Sequence, residues 1–363
     1  MDALNVALIG TGNISEAYIK GCRAFDVLNL VACADLNLDK AQAVAAKYAI
    51  PQAKTVEALL ADPAIDLIVN LTVPLAHTEV SLAVIASGKH LYSEKPLAAA
   101  FDDAQRIVKA AAEAGVRVGC APDTFMFAPH QRCRQLLDAG AIGQPVAAVG
   151  CMASRGPESW HPNPDFFYQP GGGPMLDMGP YYITALVHLL GPAARVTGSA
   201  RSSFSERIAG DGHRIPVNVA THVTGTIEFQ SGVIATLIIS FDVAGHRLPM
   251  MEIYGAEGTL AVPDPNGFQA EVKTYDPTAK TWTTHDLLHA PEWARGIGVA
   301  DMAYGIMTGR PHRASGELAL HVTEIMFAFE EAARSGRRVE LTTTCQRPKA
   351  LPTGLPPRTL DRD

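Results

Sequence analysis

Several features are missing from this chain of 363 residues: a run of basic residues, an apolar stretch of membrane-spanning length, clustered cysteines, and any internal repeat or low-complexity tract. With 30 lysines and arginines against 37 aspartates and glutamates, the net charge is −7. A surface that tracks nucleic-acid phosphates or an anionic membrane is therefore not expected. The buried-strand pattern of Val6 to Ile9 begins too early for a signal peptide, and together with the missing apolar span it predicts a cytoplasmic protein. The six cysteines (Cys22, Cys33, Cys120, Cys133, Cys151, Cys345) are scattered in mostly apolar surroundings. They predict buried reduced thiols, not a disulfide framework or a thiolate metal site. The 12 histidines include no His-Glu-x-x-His pair and no tight grouping with acidic residues, so no metal is expected.

What is present fits a globular α/β protein, with 47% hydrophobic and 18% charged residues. The length suits two domains, each with its own core. Residues 1–123 alternate short apolar strands (Val6 to Ile9, Leu28 to Ala34, Ile65 to Leu71, His90 to Ser93, Val116 to Cys120) with helices such as Asp39 to Tyr48 and Asp102 to Ala114. That rhythm predicts βαβ units and a parallel sheet. Residues 124–346 open with a helix near Ala128 to Ala139, a strand from Pro145, an irregular loop and a helix over Met175 to Leu190. Strands joined by tight turns follow, among them Val219 to Phe229, Val233 to Phe241, Pro249 to Tyr254 and Thr259 to Val262, which predict a large, mostly antiparallel sheet. Helices return at Gly296 to Thr308 and Gly316 to Ser335. The tail, 347–363, has four prolines between Pro348 and Pro357 and is expected to be extended or mobile.

The first strand runs into Gly10-Thr11-Gly12-Asn13-Ile14. In a dinucleotide-binding turn the first glycine permits a sharp bend and the second lets backbone approach the pyrophosphate at a helix N-terminus. Gly10 and Gly12 fill these places. Ser15 stands where a third glycine or alanine is usual, and the glycine pattern by itself is also compatible with an ordinary strand-to-helix turn. Asp35 ends the second strand at the distance where a carboxylate accepts the adenosine ribose hydroxyls. It would repel a 2′-phosphate, and the following Leu36 and Asn37 offer no arginine to neutralise one, so NAD is favoured over NADP. Thr72, Val73 and Pro74 leave a later strand at the edge where ligands bind in open parallel sheets, with His77 nearby on a helix face. Glu94-Lys95-Pro96 leaves the next strand at that edge.

At Glu94-Lys95-Pro96, and again from Gly171-Gly172-Gly173 through Asp177-Met178-Gly179-Pro180-Tyr181, the sequence resembles the glucose-fructose oxidoreductase, inositol dehydrogenase and MocA family. The resemblance extends to about Glu340. It implies a Rossmann domain followed by an α+β domain on a large open sheet, with Lys95 and the glycine-run helix carrying the chemistry. Many members read Asp-x-Gly-x-His-x-x-Asp in that helix; here Tyr181 replaces the histidine and Thr184 the last aspartate. That pattern is similar to the glucose-fructose oxidoreductase and dihydrodiol dehydrogenase branch, which implies Tyr181 as acid/base. On one continuous helix, Asp177 and Tyr181 would share a face, although Pro180 marks either a kink or the true helix start. Oxidising an alcohol needs a proton acceptor while hydride leaves carbon. A tyrosine of ordinary pKa, about 10, needs help, which the Lys95 ammonium would give. Two packing tyrosines remain the alternative.

Substrate contacts are expected from Trp160, His161 and Tyr168 in the irregular loop, where rings suit a sugar's apolar face, and from Asp123, Asp177 and Tyr181. A loop whose aromatics pack on its own domain is the other possibility. Three functions stay open: an NAD-dependent dehydrogenase of a sugar, polyol or glycoside; a glycosidase using transient oxidation and elimination; and a sugar or cofactor sensor without catalysis. Family analogy implies a homodimer or homotetramer.

Overall fold

A computed structural model describes residues 3–268, 270–290, 294–356 and 358–361. Its elements begin with β1 (Leu4–Ile9), α1 (Ser15–Arg23), β2 (Leu28–Ala34), α2 (Leu38–Tyr48), β3 (Gln52–Lys54), α3 (Val56–Leu60), β4 (Leu67–Asn70), α4 (His77–Ala86), β5 (His90–Ser93), α5 (Phe101–Ala114) and β6 (Val118–Cys120). There follow α6 (Ala128–Asp138), β7 (Pro145–Ala153), α7 (Gly173–Asp177), α8 (Gly179–Leu190), β8 (Ala193–Arg201), β9 (Glu206–Ile208), β10 (Arg214–Pro216), β11 (His222–Phe229), β12 (Ile234–Ser240), β13 (Met251–Gly255), β14 (Thr259–Val262), β15 (Val272–Asp276) and β16 (Thr281–His285). The last elements are α9 (Ile297–Thr308), α10 (Gly316–Ser335) and β17 (Val339–Glu340).

The chain forms two compact units, Met1–Ala128 with Leu288–Leu320 and Pro348–Asp363, and Pro129–Leu287 with His321–Arg347. The expected single boundary after residue 123 is thus replaced by an interleaved division. Its cause is visible at Asp123, whose Oδ2 accepts the backbone N–H of Gly296 (2.9 Å) and Gly298 (3.0 Å) and so fastens the start of α9 to the first unit.

The first unit is a parallel sheet in the order β3-β2-β1-β4-β5-β6, the order of dinucleotide-binding folds. Strands buried on both faces need apolar residues on both. Ala7, Ile9, Ile68 and Leu91 accordingly meet Leu59, Val84 and Ile107 from the helices in one core. The register pairs Ile9 with Ala34 and with Asn70, Asn70 with Ser93, and Ser93 with Cys120. Five strands therefore end on one line, and the residues that follow them emerge together.

Of the two expectations for the tail, extended or mobile, its described residues fit the first: they form no helix or strand and are held in place. Leu351 and Leu360 are buried, while Arg313 bonds Lys349 O (2.9 Å) and pairs with Asp361 (2.8 Å). An arginine fork satisfied by a carboxylate and a carbonyl makes release of the tail costly.

The second unit carries a nine-stranded sheet in the order β16-β15-β14-β13-β7-β12-β11-β8-β17. All its pairings are antiparallel except β7 with β12. One face is closed by helices. Every residue of α8 is buried, as expected for a helix apolar all round. Gly150 and Gly198 make room: a Cβ at Gly198 would stand 2.9 Å from the Phe329 ring of α10, and one at Gly150 3.5 Å from the Tyr182 ring of α8. The other face is partly exposed and mixed, with Val149 and Ile234 beside a row of threonines in which the Thr197 and Thr226 hydroxyls stand 2.6 Å apart. All six cysteines are buried and free. No helix among the described residues is long and apolar enough to cross a membrane.

Candidate active site

In the first unit the residues beyond the strand ends form a cradle. Gly10 has φ +99°, and a Cβ there would approach the Leu71 carbonyl to 2.7 Å, so only glycine allows β1 and β4 to finish this close together. At Gly12 a Cβ would meet nothing within 4 Å, which leaves the turn open on its outer side. The N-terminus of α1, at Ile14, has no side-chain cap; the Ser15 and Ala17 N–H groups bond Gly12 O (3.0 Å) and Ile14 O (3.1 Å), and the positive end of the helix is left for an anion. Asn13 is exposed and Ile14 partly so. Ser15 departs from glycine without penalty because its hydroxyl turns back onto Gly12 O at 2.7 Å.

Asp35 lies beside this turn. Its Oδ2 accepts the Thr11 N–H (2.9 Å) and hydroxyl (2.8 Å), and its Oδ1 the Asn37 N–H (3.1 Å). Partial burial raises its pKa, but these bonds outweigh it and hold the carboxyl below the usual range. An ionised carboxylate with lone pairs left over is what a ribose diol requires. Gly10, Gly12, the α1 terminus and Asp35 together fit a dinucleotide, and Thr11, unassigned from sequence, proves to be the residue that orients Asp35.

The neighbouring loops are arranged by buried side chains. Asn70 is fully buried; its Oδ1 accepts the Thr72 N–H (3.2 Å) and hydroxyl (2.7 Å), while its Nδ2 donates to Ser81 Oγ (3.2 Å). Val73 is 66% exposed and Pro74 partly so, leaving an apolar rim. Two residues expected to face the cofactor turn inward. Glu94 is buried, its Oε1 bonded to the Tyr18 hydroxyl (2.8 Å) and 3.9 Å from Arg295, its Oε2 to the Lys95 N–H (2.8 Å). Its carboxylate thus serves the Lys95 backbone. His77 is also buried, with both ring nitrogens against backbone carbonyls. Tyr18 and Arg295 were outside any motif; Arg295 lies some 200 residues from Glu94 in sequence, and no local signal points to it.

Asp123 is a further correction. It is wholly buried, tied to the α9 backbone, and burial pushes its pKa up. A group so placed positions the start of α9 and presents no exposed surface.

In the second unit, the single helix expected over Met175 to Leu190 is two. Asp177 ends α7, Met178 breaks the run at φ −109°, and α8 begins at Gly179 with Pro180 in its first turn. Pro180 therefore marks a true start, where its missing N–H costs nothing. Asp177 and Tyr181 therefore lie on two successive helices, and the expected continuous helix joining them is divided at Met178. Tyr181 lies in the first turn of α8, 4% exposed, its N–H on Met178 O at 3.1 Å.

The loop before α7 carries an aromatic cluster. The His161 ring stands edge-on to Trp160 (5.6 Å), Phe166 (5.6 Å) and Phe167 (5.0 Å). Trp160 is 72% and Phe166 45% exposed. Tyr168, expected to touch substrate, is instead fully buried: its hydroxyl bonds Glu158, its ring packs on Phe241 and under Arg207, and burial raises its pKa. Arg207 pairs with Glu158 and Asp242, so a buried ionic group anchors the loop from below.

Comparison with known proteins adds the following. The profile described as "Oxidoreductase family, NAD-binding Rossmann fold" matches residues 4–121, and that described as "GFO/IDH/MocA C-terminal domain" matches residues 130–261. The 1,5-anhydro-D-fructose reductase of Ensifer adhaerens is 31% identical over 259 residues, 70% of this chain and 74% of its own length. D-xylose 1-dehydrogenase (NADP(+)) 2 of Haloferax volcanii is 27% identical across 83% of this chain and 89% of its own. Among solved structures, an NAD binding oxidoreductase from Klebsiella pneumoniae matches with a TM-score of 0.82 at 25% identity, covering 94% of this chain and 100% of that one.

Proposed function

The chain belongs to the GFO/IDH/MocA family of NAD-binding oxidoreductases, and from that premise we propose that it transfers hydride between NAD and a secondary hydroxyl or ketone of a sugar, polyol or glycoside. The observation that carries this reading is the common strand-end line: Asp35, the open Gly10–Gly12 turn and the segment bearing Lys95 all leave one sheet on the same edge. The relatives named as a reductase and a dehydrogenase of sugars support the substrate class.

When bound, the nicotinamide supplies the hydride acceptor or donor. Gly10, Gly12, Asn13, Ile14 and Asp35 hold the dinucleotide, with Thr72, Val73 and Pro74 along its rim. Tyr181 accepts the hydroxyl proton during oxidation and returns it during reduction. Lys95 favours the phenolate and Asp177 orients a hydroxyl. Trp160 and His161 offer a sugar's C–H face an aromatic surface. The partly exposed face of the large sheet, with Ile234 and Val149 among threonines, suits a second copy of the chain, giving a dimer or tetramer.

The test is a panel of sugars, polyols and glycosides with NAD, followed by reduced-cofactor absorbance. Tyr181→Phe is expected to lose about 100- to 10,000-fold in turnover while keeping NADH affinity. A double-mutant cycle with Lys95→Met should show the two losses to be strongly non-additive. Undiminished turnover in Tyr181→Phe removes that residue from the mechanism.

A further inference from the structure

His77 opens α4 and is buried, 1% exposed. Its Nδ1 lies 2.6 Å from Pro96 O and its Nε2 2.9 Å from Thr72 O. Both partners are carbonyls, which only accept, so each contact needs an N–H on the ring. A neutral imidazole has one. Both bonds exist together only in the imidazolium form.

The two carbonyls belong to the two loops that leave β4 and β5 at the dinucleotide edge. Lys95 is flanked by supports on each side: Glu94 Oε2 takes its N–H (2.8 Å), and His77 takes the carbonyl of the residue after it. Asn70 fixes the other loop from within and also donates to His77 O (3.3 Å). We propose that His77 is a positioning residue, its ring stapling the loop of Thr72 to the segment of Lys95 so that the dinucleotide edge behaves as one rigid piece. This inference rests on NAD binding and not on the roles given to Lys95 or Tyr181.

The charged groups that act on the ring are Glu94, which favours the second proton, and Lys95, which opposes it; the neighbouring Asn70 and Ser81 are neutral. Burial is the largest influence and holds the imidazole below the ordinary histidine value, against the pull of the two carbonyls and Glu94. The second bond is therefore complete on the acid side of the ring's own titration and lost as pH rises through it.

The experiment compares NADH binding by fluorescence for the wild type, His77→Leu and His77→Gln, each followed as a pH series from neutral pH to the acid limit of the folded protein, with thermal melts alongside. His77→Leu should weaken binding roughly 10-fold, as loss of a supporting hydrogen-bond partner does elsewhere. His77→Gln, whose amide still donates, should recover most of that loss. Wild-type affinity should fall as pH rises through the ring's titration, on the acid side of the ordinary histidine value, and His77→Gln should lack that fall. A folded His77→Leu that binds as the wild type does, or a His77→Gln with the full wild-type pH dependence, overturns the proposal. Should His77→Leu fail to fold, the pH comparison between wild type and His77→Gln decides.

Discussion

At the strand-end edge of the first unit, the polar side chains that the motifs supply are bound to protein: Asp35 to Thr11, Glu94 to Tyr18, His77 to two carbonyls. The aromatic loop of the second unit does the opposite, leaving Trp160 72% exposed over an anchored ionic base of Arg207, Glu158 and Asp242. A site for a fixed ligand is best preorganised by internal bonds, because every bond made before binding is entropy not lost on binding. A surface that meets varied hydroxyl patterns needs only a supported platform and an apolar ring. The two regions should therefore respond differently to substitution.

The largest effect is expected where the edge is built from backbone. A Cβ at Gly21, on the buried side of α1, would stand 1.6 Å from Arg295 O, so Gly21→Ala must separate α1 from the segment entering α9. A loss of about 3 kcal/mol is expected, measured by urea denaturation; an unchanged midpoint would mean that the edge is softer than its bonds suggest. Next comes Asp35→Ala, which removes a charged acceptor. NADH affinity should fall about 10- to 100-fold, and discrimination against NADPH should shrink. Retained discrimination would move the selectivity to another residue.

Smaller effects are expected from the loop. Trp160→Ala should raise KM for the carbohydrate about 3- to 10-fold with kcat nearly unchanged and leave NADH binding as it was. A loss in kcat instead would place the ring at the reacting centre and erase the contrast between platform and edge. The smallest effect concerns the clasp at His213, which bonds Asp211 (2.6 Å) and Asp165 (3.0 Å) and so ties the loop to the turn before β10. Those two carboxylates, Asp211 first, raise its pKa. A raised histidine contributes fully below its unfolded value and loses that contribution as pH rises through the folded one. Protection of residues 161–168 from hydrogen exchange, corrected for intrinsic rates, should decline slightly between pH 6 and pH 9. His213→Gln should abolish that decline, and a decline that persists in it would assign the effect elsewhere.

Much of this was open to inspection in one dimension. Strand and helix rhythm located β2 and β5 to the residue and most of the other elements it delimited within a few positions, because their burial on one or both faces imposes period and composition; α1, α4 and β8 were not delimited. The glycine turn and Asp35 were legible for a related reason: bending a chain sharply and placing a carboxylate two strands along are local demands that few residue types meet. Lys95 was recognisable through its motif. The three-residue β3 was too short to leave a period, whereas the break between α7 and α8 was signalled by Pro180, which stands in the first turn of α8.

The sequence by itself determined the class of fold, the sharp glycine turn after β1 and the carboxylate that ends β2 beside it. Only the tertiary structure decided which polar residues face outward. Asp123, Glu94, His77 and Tyr168 have side chains suited to ligands, and all four are buried and bonded to partners elsewhere in the chain: Gly298, Tyr18, Pro96 and Glu158. A buried polar group must find a partner wherever the fold brings one, and sequence distance says nothing about where that is. The interleaving of the two units, and the tail fixed by Arg313, follow from the same rule.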